Sequence, residues 1–176
     1  GKDVSDYRGH LGCLASHKKA VQDVRGDRPA LITEDDAMLV PNFRRRSRRL
    51  VAAVTKHDPD WDVLLLGWTC DYKHYDGCRD NDCFAVLEPG FARVRYFCGG
   101  WGYVVRNERA ARKLLGGVYA RPNAPADIGM AEMAMRGELR VYAAVPSLVL
   151  HPGTLRQSSF DAKQVGNGKF YRTDTN

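Results

Sequence analysis

The chain comprises 176 residues, 44% of them hydrophobic and 10% aromatic, with 27 basic and 21 acidic side chains. These proportions exclude intrinsic disorder and predict one core, hence a single domain over residues 1–176. No apolar stretch approaches the roughly 20 residues that cross a bilayer, and the net charge of +6 admits an anionic partner without naming one.

In chain order, Leu11, Leu14, Ala15, Val21 and Val24 mark a helix over about residues 9 to 25, ended by Gly26 and Pro29. Ala30 to Thr33 predicts a short strand that runs into Glu34, Asp35 and Asp36. Pro41 or Asn42 opens a second helix, with Phe43, Leu50, Val51 and Val54 on one face and an end near His57. Trp61 to Leu66 reads as a buried strand ending at Gly67, and Thr69 to Asp82 as a loop. Phe84 to Leu87 and Ala92 to Phe97 flank Pro89-Gly90 as a hairpin. Gly99 to Gly102 reads as a turn cluster, or a close backbone approach to a ligand, ahead of a strand at Tyr103 to Val105. Asn107 caps a helix to about Leu115, and Pro125 starts another that runs to about Arg136. Strands at Leu139 to Ala143 and Ser147 to Leu150 follow. The alternation predicts an α/β sheet with helices on its faces, whose ligands sit beyond strand carboxyl ends. That rule selects the acids after Ile32, the loop after Leu66, and His151.

Three adjacent carboxylates repel one another and are stabilised by a cation or by solvent. At a strand end Glu34 and Asp36 point to one side, a pattern suited to Mn²⁺ or Mg²⁺ bridging protein to diphosphate; a solvated acidic turn is the plainer reading. His151 is a third candidate ligand or an ordinary satisfied histidine. Asp127 sits favourably in a first helical turn through the helix dipole alone. Trp101 offers a stacking platform for a sugar or base.

Arg44, Arg45, Arg46, Arg48, Arg49 and Lys56 lie in a stretch without acids, residues 41–56, which carries the whole net charge. Without interleaved aromatics it reads as a solvated face, and nucleic acid is the disfavoured partner. Of five cysteines at least one is unpaired; Cys13 is expected to be a small buried side chain. Cys70, Cys78, Cys83 and Cys98 lie close enough for one or two disulfides, but their spacing does not make a structural zinc module. The N-terminus lacks the apolar run of a signal peptide, which favours the cytoplasm over secretion.

Taken in order, Gly9-His-Leu-Gly-Cys-Leu-Ala-Ser-His17, Ala30 to Asp36, Pro41 to Phe43, Trp61 to Gly67, Gly100 to Val105 with Ala110 to Leu115, and Pro125-Ala-Asp127 resemble the family 25 glycosyltransferases, which include lipopolysaccharide sugar transferases and collagen galactosyltransferases. The resemblance runs from about Gly9 to Ser159. It implies a GT-A-like mixed sheet with helices on both faces, a nucleotide-sugar donor such as UDP-galactose, Mn²⁺ (or Mg²⁺), and inverting transfer to a saccharide or glycoprotein acceptor. Carried over, Asp36 would ligate the metal with Glu34 assisting, and His151 would be a metal or diphosphate ligand. Gly12, Ser16, His17 and Asp35 would line the donor side. Gly100, Trp101, Gly102, Gln157 and Ser158 would line the sugar and acceptor side, and Asp127 would act as base or acceptor ligand. The family's first strand has no counterpart ahead of Gly9. A compact variant, a domain partly outside this sequence, and a non-catalytic nucleotide-sugar or carbohydrate binding domain are all compatible with that departure.

Overall fold

A computed structural model describes residues 4–69, 84–120 and 125–151. Its elements are α1 (Val4–Gln22), β1 (Ala30–Thr33), β2 (Met38–Leu39), α2 (Phe43–His57), β3 (Val63–Thr69), β4 (Phe84–Glu88), β5 (Phe91–Val94), β6 (Cys98–Val105), α3 (Glu108–Gly117), α4 (Ala126–Met135), β7 (Val141–Ala144) and β8 (Val149–Leu150).

Six strands form a mixed sheet in the order β1-β6-β3-β7-β5-β4. Among the described residues only the β3–β7 pairing is parallel; the other neighbours in this sheet run antiparallel. Alternating side chains of β3 separate the two faces: Val63 and Leu65 enter one core, Leu64 and Leu66 the other. On the first face lie α1, α3 and α4, contributing Val21, Leu114 and Met130. Leu50 and Val54 of α2 cover the second, beside Val149 of the small β2–β8 ribbon. The expected mixed sheet with helices on both faces is therefore present.

Local signals explain the elements. The Asn107 side chain accepts the Ala110 N–H at 3.0 Å, closing the first turn of α3. Gly137, at φ 73°, ends the turn after α4 in a conformation that disfavours other residues. α1 stops at Gln22 rather than near residue 25, because Gly26 turns away at φ 63°. Its N–H then bonds Glu108 Oε2 at 3.0 Å, and its carbonyl accepts the Glu108 N–H at 2.8 Å.

Other expectations along the sheet need correction. β3 does not end at Gly67 but continues to Thr69, with irregular register at Leu65/Gly67 and Gly67/Thr69. That bulge re-aims the strand, so Trp68 joins the core opposite to Leu66. Gly99 to Gly102 is not a turn: it lies inside β6. Ser147 to Leu150 contributes only Val149 and Leu150 as strand, and these pair with β2 outside the main sheet. The predicted loop beyond Thr69 lies outside the described residues.

At the amino end of β3, Asp62 is fully buried. Its Oδ2 accepts from Lys113 Nζ at 2.7 Å and from the Arg140 N–H at 3.0 Å. Among the described residues Oδ1 has no hydrogen-bond donor, and it faces the Arg109 guanidinium at 3.7 Å. The carboxyl ends of β1, β3 and β7 meet at the opposite edge of the sheet, because β1 and β3 both run antiparallel to β6 and β7 runs parallel to β3.

Candidate functional site

At that edge the chain leaves β1 through a tight turn. The Glu34 N–H bonds the Trp101 carbonyl at 3.1 Å, and the Ala37 N–H bonds the Glu34 carbonyl at 3.3 Å. The β2–β8 pairing, Met38 opposite Leu150 and Leu39 opposite Val149, delivers His151 to the same place. His151 Nε2 lies 3.0 Å from Asp36 Oδ2. One ligand atom each from Glu34, Asp36 and His151 falls within 4.8 Å of the others. The acid pair and His151, selected at distant points of the sequence, thus converge at a strand carboxyl end.

A cleft of about 330 Å³ opens beside them, with Glu34, His151, Trp101, Gly100 and Asp127 among its lining residues. A second cleft, lined by Ser16, Asp35 and Asp36 among others, shares Cys13, His17 and Glu34 with the first. Glu34 therefore stands between them. The His17 imidazole beside it, helped by His151, holds its carboxyl below the usual carboxylate range against the opposing effect of burial.

His17 is buried and reaches in two directions. Nδ1 is 2.9 Å from the Tyr103 hydroxyl, and Nε2 is 3.6 Å from Glu34 Oε1. The Tyr103 hydroxyl continues to that of Tyr119 at 3.3 Å. Burial pushes the Tyr103 phenol well above its ordinary pKa and that of Tyr119 up to about 12. A polar chain therefore runs from the core to the cleft. Sequence reasoning missed both tyrosines, which carry no local signal, and misplaced Cys13. Cys13 is exposed rather than buried, at the cleft; its spacing of one helical turn from His17 was the available clue. Partial desolvation, then the charges of Glu34 and Asp127, push its thiol up.

Asp127 does more than face a helix dipole. Its Oδ2 accepts the Gly99 N–H at 2.7 Å, tying α4 to β6. Gly100 faces Asp127 and Met130, where a Cβ would fit without clash. Trp101 lies in the cleft wall with Nε1 donating to the Val149 carbonyl at 3.0 Å, its ring 5.8 Å from that of His151. A Cβ on Gly67 or Gly99 would fall 2.2 Å or 2.0 Å from the indole, so both glycines serve this close approach. Gly102 is sealed under Val149, whose Cγ atoms would sit 2.8 Å from a Cβ. Gly12 is exposed on α1 and lines neither cleft. Gln157 and Ser158 lie outside the described residues. The arginines form a separate shallow groove of about 740 Å³ along α2, sharing no lining residue with the acidic cleft.

No family profile matches the chain. Over 62 residues, 34% of the chain, it is 37% identical to the mouse protein named inactive glycosyltransferase 25 family member 3 and to its human counterpart. Over the same length it is 34% identical to procollagen galactosyltransferase 1 of Danio rerio. The matched segment spans about a tenth of each relative's length. Among solved structures, apo UDP-glucose pyrophosphorylase aligns over 68% of this chain and 46% of its own at a TM-score of 0.40 and 10% identity, a likeness too distant to carry an argument. About a third of the chain is thus similar to glycosyltransferase family 25 proteins, and no helix among the described residues is long and apolar enough to cross a membrane.

Proposed function

We propose that the chain is a glycosyltransferase-like domain, of GT-A type, that moves a hexose from a nucleotide-sugar donor to a saccharide or glycoprotein hydroxyl with inversion. The observation that carries this reading is the convergence of Glu34, Asp36 and His151 at the cleft. Two carboxylates and one imidazole make a donor set that would suit Mn²⁺ or Mg²⁺. A bound ion supplies Lewis acidity toward the departing diphosphate.

The chain's own residues account for the rest. Glu34, Asp36 and His151 hold the donor end of the cleft. Asp127, with one oxygen already fixed by Gly99, directs the other toward an acceptor hydroxyl and takes its proton. As that oxygen bonds the anomeric carbon, the bond to the nucleotide diphosphate breaks and its electron pair leaves with the diphosphate. Trp101 offers a flat face to the sugar.

A second reading, a nucleotide-sugar or carbohydrate binding domain without turnover, draws on the anchoring of Asp127 to Gly99 and on the word "inactive" in the names of the mouse and human relatives. Calorimetry of UDP with Mn²⁺ tests the shared premise: the Glu34→Ala, Asp36→Ala double variant should lose Mn²⁺-dependent binding, and unchanged binding overturns both readings. Slow donor hydrolysis by the parent protein supports the transferase; its absence, with binding intact, supports the binding domain.

A further inference from the structure

On the other flank of Glu34, ligand atoms of Cys13, His17 and Glu34 also lie within 4.8 Å of one another. Cys13 and His17 are one turn apart on α1 and share a face. The 3.6 Å between His17 Nε2 and Glu34 Oε1 is long for a hydrogen bond. It is close to the separation of about 3.4 Å between two ligands of a tetrahedral zinc ion bound at about 2.1 Å. The far side of the imidazole is already fixed: Nδ1 meets the Tyr103 hydroxyl at 2.9 Å, and the ring stacks on Tyr103 with planes 14° apart. Metal-ligating histidines are oriented in this way by a partner on the second nitrogen. Cys13 is exposed and gives an ion a path of entry.

We propose that Cys13, His17 and Glu34 form a site for a thiolate-seeking divalent cation, Zn²⁺ foremost, with a fourth position open to solvent. The sulfur ligand sets it apart from the all-hard set of Glu34, Asp36 and His151. Cys13 binds as thiolate, so uptake releases its proton to solvent. Glu34 belongs to both sets, and Zn²⁺ at the thiol site draws its carboxylate away from Asp36 and His151. In that respect alone the proposal rests on the reading of the preceding subsection.

Titration of the full chain with Co²⁺, in a non-chelating reductant, tests it. The expected result is a saturable thiolate-to-cobalt charge-transfer band, abolished by excess Zn²⁺, absent in Cys13→Ser and weakened at least tenfold in His17→Asn. Because Cys13 is exposed, the serine variant should keep the parent melting temperature. Asp36→Asn should retain the band while losing Mn²⁺-dependent UDP binding, which separates this site from the donor site. No band in the parent protein, or an undiminished band in Cys13→Ser, overturns the proposal.

Discussion

The Tyr103 hydroxyl and His17 Nδ1, 86 residues apart in sequence, are hydrogen-bonded at 2.9 Å inside the protein. The same hydroxyl contacts Tyr119 at 3.3 Å. Tyr103→Phe therefore strips two polar groups of a buried partner at once. It should destabilise the chain by about 1–3 kcal/mol, read from the urea midpoint, because a buried group left unpaired forfeits its solvation.

Acid should expose what Glu34 contributes. Its native carboxyl titrates below the usual range because of His17, so the stabilisation is complete above the unfolded-state value and is lost as pH falls through the lower native one. The stability gap between the parent protein and Glu34→Gln should be fully present above the unfolded-state carboxylate value and close as the pH falls through the lower native one. A gap that widened on acidification would contradict the sign of this coupling.

Two glycine substitutions should diverge. In Gly67→Ala the new methyl meets the Trp101 indole at 2.2 Å and the Val149 carbonyl at 2.6 Å. The substitution should cost about 1–3 kcal/mol or more and shift tryptophan emission to the red as the ring is displaced. In the middle of a helix, Gly12→Ala meets nothing within 4 Å among the described residues. It should stabilise by up to about 1 kcal/mol and leave UDP binding unchanged.

Asp127 offers a charge-against-geometry comparison. Asparagine can still accept the Gly99 N–H, whereas alanine cannot. If the carboxylate takes the acceptor proton, Asp127→Asn and Asp127→Ala should both lower transfer at least a hundredfold, with only the alanine variant also losing thermal stability. Transfer retained in the asparagine variant would reduce Asp127 to a positioning residue.

Much of the frame was legible because its signals are local. The strand at Ala30 to Thr33, the Asn107 cap and the apolar face of α2 each depend on residues within a few positions of one another. The acids were legible as a local run at the end of a strand, but a tight turn from Glu34 to Ala37, not extended alternation, sets Glu34 and Asp36 near each other. Gly99 to Gly102 misled because a glycine run ordinarily signals a turn. Here the missing side chains make room for Trp101 and Val149, and that tertiary packing overrides propensity. Cys13 misled because apolar neighbours in sequence do not decide which face of α1 meets the sheet. The backing of His17 by Tyr103 and Tyr119 depends on pairings across three elements, which no window of sequence contains.

The buried Asp62 clasp gives β3 a polarity of its own. At one end the strand is pinned by Lys113 and the Arg140 backbone; at the other, around Gly67, its ladder with β6 is irregular and leans on an indole rather than on regular pairing. The sheet should therefore open like a hinge fixed at Asp62. Amide exchange should reach Gly67, Gly99 and Gly100 through partial opening, while Val63 and Leu64 wait for global unfolding. The acidic cleft would then be able to loosen around an incoming ligand without the core behind it coming apart.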